Sequence, residues 1–177
     1  MVIPGFGEVG GSGYRPPPAR SGAAMAYDAA AGNIVLFGGA SSTGTFLNET
    51  WTWDGTTWTQ QSPSVSPPTR SSQMGMVYDA GTQTVVLFGG NNSASAGVLG
   101  DTWTWNGVTK TWTQQNPTTS PSPRGAPMAY DAATQTVVLF GGSGNGGVQF
   151  TDTWNWNGTT WTQQFPASAR PHEPAPT

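Results

Sequence analysis

The run Ile34-Val35-Leu36-Phe37-Gly38-Gly39 returns as Val85 to Gly90 and again as Val137 to Gly142. Phe37, Phe88 and Phe140 stand 51 and 52 residues apart, a period that marks one supersecondary unit used three times. The same features surround each run in the same order. An Arg (Arg20, Arg70, Arg124) comes first, then a Tyr-Asp pair beginning at Tyr27, Tyr78 or Tyr130, then the apolar run with its Gly-Gly. A Trp-x-Trp follows (Trp51 and Trp53, Trp103 and Trp105, Trp154 and Trp156), and a further Trp (Trp58, Trp112, Trp161) closes the unit. A fourth Arg, Arg170, opens a copy that then stops.

Each unit reads as four short strands. The chain has 25 Gly and 15 Pro in 177 residues and only 8% charged side chains, a composition of turns and pleated surfaces rather than helices. The segment from about Gly22 to Tyr27 is rich in small residues, as a crowded innermost strand requires. Asp28, Asp79 and Asp131 each open a turn by accepting a hydrogen bond from backbone two residues on. The apolar run carries no polar face, so it is covered on both sides by neighbouring sheets. Thr50 to Trp53 alternates with period two and enters a tight hairpin at Asp54-Gly55, matched by Asn106-Gly107 and Asn157-Gly158. Units of about 50 residues that cannot bury their faces alone are propeller blades rather than the leaves of a sandwich. The fold class is all-β, with three four-stranded antiparallel blades at about 20–61, 70–115 and 124–164. Residues 1–19, including Val2-Ile3 and Phe6, read as a tail or a degenerate strand, and 165–177 as a C-terminal tail.

Gly-Gly after an apolar strand, an acidic residue before Thr-Trp-x-Trp-Asp/Asn and a further Trp resemble the kelch repeat, specifically of the bacterial kind, over residues 20–164. The resemblance implies a β-propeller, and kelch propellers close with six or seven blades. Three blades make an open arc or half of a six-bladed ring. Two arcs that hide their apolar ends against each other give a homodimer; the other reading is a fragment of a larger kelch or galactose-oxidase-like protein. Relatives of the latter kind use a copper site of Tyr, Cys and two His, which a chain with no Cys and one His (His172) cannot build.

A net charge of −3 and a pI near 4.7 argue against a nucleic-acid partner, since non-specific binding depends on Lys and Arg neutralising phosphates. Nothing in the sequence suggests a membrane partner, a metal or a cofactor, and the absence of Cys leaves the compartment undetermined. No constellation of nucleophile, base or paired carboxylates stands out, so the expectation is a non-enzymatic module.

Function is sought where the copies differ. Ala40 to Asn48, Asn91 to Gly100 and Ser143 to Thr151 join second to third strands, while Ser62 to Thr69 and Asn116 to Pro123 join blades. By alternation of strand direction all emerge at the end where the Arg residues sit, facing Glu49, Asp101 and Asp152. The first reading of these charges is structural: salt bridges or Arg-to-backbone hydrogen bonds. The second is a ring of Arg20, Arg70 and Arg124 that holds an anionic ligand, together with Phe46, Asn48, Asn91, Asn92, Leu99, Asn145 and Phe150 on the variable loops. The partner class is a protein or peptide first and a glycan second. All nine Trp and the repeated Tyr residues fall at repeat positions, which makes them packing residues, with at most Trp58, Trp112 and Trp161 on the outer strands partly exposed. That reading expects truncation of Trp105 to cost more than truncation of Trp112. The sequons Asn48-Glu49-Thr50, Asn91-Asn92-Ser93 and Asn157-Gly158-Thr159 are weak signals.

Overall fold

A computed structural model describes residues 15–92 and 97–165. Arg170, His172, Val2-Ile3, Phe6 and Ser93 lie outside the described residues. Three four-stranded antiparallel sheets follow one another along the chain. Blade one comprises β2 (Ala24–Asp28), β3 (Asn33–Phe37), β5 (Thr50–Trp53) and β6 (Trp58–Gln61), with a short ribbon of β1 (Arg20–Ser21) and β4 (Ala40–Ser41) at one end. Blade two comprises β7 (Gly75–Asp79), β8 (Thr84–Phe88), β9 (Thr102–Asn106) and β10 (Thr111–Gln115). Blade three comprises β11 (Met128–Asp131), β12 (Thr136–Ser143), β13 (Gln149–Trp156) and β14 (Trp161–Gln164). Within each blade consecutive strands pair, and the sheets do not close into a ring.

Turn chemistry sets the register. Asp28, Asp79 and Asp131 each accept the N–H two residues on, from Ala30, Gly81 and Ala133 at 3.1, 2.9 and 2.9 Å. Asp54, Asn106 and Asn157 do the same in the outer hairpins, with Thr56, Val108 and Thr159. The Gly-Gly after each second strand is required by backbone conformation. Gly89 has φ +64, and a Cβ there would lie 2.0 Å from the carbonyl oxygen of Arg124, so a side chain is excluded on both conformational and steric grounds.

Packing between blades is directional. Blade one turns Val35 and Phe37, both wholly buried, towards Val85, Leu87, Trp105 and Trp112 of blade two. Blade two in turn presents Val86 and Phe88 to Val137, Leu139, Trp156 and Trp161 of blade three. The outer-strand Trp is the keystone of both contacts. Trp112 meets Phe37 edge to face at 5.2 Å and donates its Nε1–H to Thr50 Oγ1 at 2.8 Å. Trp161 repeats this on Phe88 at 5.4 Å and on Thr102 at 2.9 Å.

Burial departs from the sequence reading at Trp112 and Trp161, at Tyr27 and at Phe140. Trp112 and Trp161 are buried, 5% and 0% exposed, because each reaches across to the preceding blade rather than facing outward. Tyr27 is 59% exposed because the described residues place no blade before blade one, which also leaves Trp58, one of the Trp expected to be partly exposed, half-buried. At the other end Phe140 is 56% exposed although Phe37 and Phe88 are wholly buried, so the second strand is covered on both sides in blade two but not in blade three. Tyr78 and Tyr130, which do face a preceding blade, are half-buried and packed on the two cores.

The expected order of mutational cost changes accordingly. In the single arc, Trp105→Ala and Trp112→Ala should each lower stability by about 3–5 kcal/mol, while Trp58→Ala should cost clearly less. Urea denaturation of the three variants checks this; a Trp112 variant as mild as the Trp58 variant would contradict the inter-blade role of Trp112.

Candidate functional site

The charged residues at the loop end form three copies of one clamp. Arg70 is wholly buried; its guanidinium donates to both carboxylate oxygens of Asp101 at 2.9 and 2.7 Å, to the Gly89 carbonyl at 2.9 Å and to the Pro68 carbonyl at 3.1 Å. Arg124 binds Asp152 through both carboxylate oxygens and also bonds the Gly141 and Ser122 carbonyls. Arg20 bonds Glu49 at 2.6 Å and the Gly38 and Pro18 carbonyls. The first Trp of each pair completes the clamp by donating its Nε1–H to the same acid: Trp51 to Glu49, Trp103 to Asp101 and Trp154 to Asp152. Each clamp thus ties the segment before the first strand to the Gly-Gly turn and to the start of the third strand. With these donors engaged inside the scaffold, the three Arg side chains stand behind the loop surface rather than on it.

Glu49 and Asp152 respond as such a site requires. Burial favours the neutral form of Glu49, but hydrogen bonds from Arg20 and Trp51 and the charge of Arg20 outweigh it and hold its pKa below the ordinary value of 4.5. The hydrogen bond from Arg124 does most to hold Asp152 below its ordinary 3.8, with burial opposing and Trp154 helping. Among the described residues no group of three or more His, Cys, Asp or Glu is placed to hold a metal ion.

The variable loops sit above the clamps. In blade two, Leu99 donates its N–H to the Gly90 carbonyl, and its own carbonyl accepts the Arg124 N–H. Asn91 pairs with Ser71, while Asn92 N–H bonds the Gly97 carbonyl. Asn145, exposed at a short 3₁₀ turn (Asn145–Gly147), reaches back with Oδ1 to accept the Val98 N–H at 2.9 Å, so the loops of blades two and three touch. Phe150 lies under the Arg124 guanidinium, 3.6 Å from Cζ to the ring centroid. Phe46, half-buried and bridged to Ala40, and the exposed Asn48 stay with blade one, apart from this group. The blade-three loop is shorter than its expected span, Ser143 to Thr151, because Gly142 pairs with Phe150 and Ser143 with Gln149, which extends β12 and β13 past a register shift between Phe140 and Gly142.

The sequence reading did not single out an open pocket of about 340 Å³ beside the innermost strands of blades two and three. Its walls include Gln73, Met74, Ala126, Pro127, Ser143 and Gln149. Ser72 and Gln73 sit consecutively in the left-handed region, with φ 57 and 59, a conformation that non-glycine residues seldom adopt. The signal was in the spacing: Tyr27, Tyr78 and Tyr130 follow their Arg by 7, 8 and 6 residues. The copy with the longest spacing is the one that holds two consecutive left-handed residues and places Gln73 in the pocket wall.

A family model, the KLHDC2/KLHL20/DRC7 Kelch-repeats domain, matches residues 10–176. The chain belongs to the kelch-repeat family. The fold of this kelch arc is also similar to a solved structure titled "Structure of YjhT", with a TM-score of 0.66 and 16% sequence identity; the similarity covers 87% of this chain. The kelch arc spans 48% of the length of that chain.

Two outcomes follow for the clamps. Asp101→Asn should destabilise by about 3–5 kcal/mol, because it strands a fully buried guanidinium, whereas Glu49→Gln, at a carboxylate whose side chain is 31% exposed, should cost much less. Urea denaturation at pH 7 measures the difference. Since the folded-state pKa values of Glu49 and Asp152 lie below their ordinary values, the stability they add is present at neutral pH and is lost as pH falls from about 5 through those lowered values. A denaturation midpoint that rises over that acid range would contradict the clamps as drawn.

Proposed function

We propose that this kelch arc is a non-enzymatic binding module that recognises a protein or peptide through the loop face of blades two and three. The observation that carries the reading is the pocket beside the innermost strands. Its walls mix apolar groups (Met74, Ala126, Pro127) with the amides and hydroxyl of Gln73, Gln149 and Ser143, the combination suited to an extended backbone and its side chains. Asn91, Asn92, Leu99, Asn145 and Phe150 support the rim from the adjoining loops, and Phe46 and Asn48 extend the same face over blade one. Arg124 contributes by holding Phe150, and Arg20 and Arg70 by fixing the turns that carry the loops.

A glycan is the second reading. Sugar rings stack on open aromatic faces, and the loop face has Phe46 and Phe150 for this, both half-buried and the latter covered on one side by Arg124. The balance therefore favours a peptide. The other partner we propose is a second copy of the chain at the ends of the arc.

A displayed random-peptide library selected on the immobilised chain tests the loop-face reading. Selected peptides should bind with at least about tenfold lower affinity to the Gln73→Ala, Gln149→Ala double variant. Peptides that bind this variant unchanged, or a glycan array whose hits vanish in Phe46→Ala, would redirect the function to another surface or to sugars.

A further inference from the structure

The two ends of the arc are halves of a contact the molecule already makes twice. On the blade-one end, Met25 and Tyr27 are 51% and 59% exposed, and Trp53 stacks on the half-buried Trp58 at 5.5 Å. These are the repeat equivalents of Met76, Tyr78, Trp105 and Trp112, the residues with which blade two meets blade one. On the blade-three end stand Phe140 and, directly across the strand pair, Thr153. They occupy the places of Phe37 and Thr50, and of Phe88 and Thr102, which are paired in the same way. In both complete contacts the outer Trp sits on that Phe and donates to that Thr. Trp58 has no such Phe and Thr among the described residues, and Phe140 and Thr153 have no such Trp.

The backbone carries the same complementarity. Gly39 N–H bonds the Arg70 carbonyl and Arg70 N–H bonds the Leu47 carbonyl, and Gly90, Arg124 and Leu99 repeat the pattern one blade on. The next terms in the series are Gly142 and Phe150 on one end and Arg20 on the other. The arc also spans about half of the solved chain it resembles in fold, a length that two arcs would match.

We propose that two copies of this chain join end to end, Trp58 of each docking on Phe140 and Thr153 of the other, and so close a six-bladed ring. The proposal rests on the second-copy reading of the arc ends and is independent of what the loop face binds. Each junction is head to tail, and two of them close on a two-fold axis, which leaves no apolar end in water.

Light scattering on the full chain at micromolar concentration should give about twice 18.4 kDa. Phe140→Asp and Trp58→Asp alter side chains that the single arc leaves exposed or half-buried, so each variant should keep its β-sheet circular dichroism yet run as a monomer. An equimolar mixture of the two should recover a dimer, because one junction then retains both native partners. Thr153→Val, a substitution that a strand accommodates, removes only the indole's acceptor and should weaken pairing by about tenfold; it provides the test if the Asp variants fail to fold. A monomeric wild type, open-ended assemblies larger than a dimer, or a Trp58→Asp variant that pairs as well as wild type would overturn the proposal, the last because it would mean that the blade-one end takes no part in pairing. Peptide capture by a monomeric wild type would leave the loop-face function standing and ring closure refuted.

Discussion

The structure depends on an indole reaching backwards. Each outer-strand Trp that has a blade behind it leaves its own sheet, covers a Phe on that blade and donates to a Thr beside it. The contact is apolar and directional at once. Burial of the two rings supplies most of the favourable free energy, and the hydrogen bond fixes which Trp atom meets which strand, since an indole N–H left without an acceptor in that dry position would be costly. Everything else in a blade is arranged to deliver that ring. In blades one and two the Gly-Gly turn follows the end of the second strand and the clamp of Arg, acid and Trp lies at the start of the third, and in every blade the Asx turns place the hairpin whose far strand carries the indole.

Charge has a corresponding part at the loop end. A buried guanidinium is tolerable only when its donors are matched, and Arg70 finds two carboxylate oxygens and two carbonyls. The clamp therefore holds several chain segments in one geometry without needing a regular strand there. This is why the loops can differ in length and sequence while the strands beneath them keep register. The pocket walls at Gln73, Ser143 and Gln149 stand on that fixed base.

Much of this was legible in the sequence because the repeat acts as its own alignment. The strand order, the Asx turns and the meeting of Arg with acid all follow from positions that recur three times, and strand alternation suffices to bring the charges to one end. What periodicity could not show was which neighbour a given side chain faces. Trp112 and Trp161 are on outer strands, and an isolated blade would expose them; they are buried because the preceding object along the arc is another blade, turned so that its Phe receives them. Tyr27 was misjudged for the complementary reason, since its repeat position is a packing position only when a blade precedes it. The pocket is not a repeated feature: one of its walls, Gln73, lies in the stretch after Arg70 whose length differs in all three copies, so periodicity does not reveal it.

The reuse of one contact also bears on how such a chain changes over generations. Each junction is built from a donor set on one side of the repeat and an acceptor set on the other, and every copy carries both. Gaining or losing a whole unit by unequal recombination therefore creates no new surface that must be matched from scratch, because the flanking copies already fit. Substitutions at Trp112 or Phe37 would be held back by the partner blade, whereas the spacing between Arg70 and β7 can drift without disturbing either junction. Blade number and loop chemistry are thus separately heritable, and a lineage can alter the length of its arc and the chemistry of its loops on independent schedules.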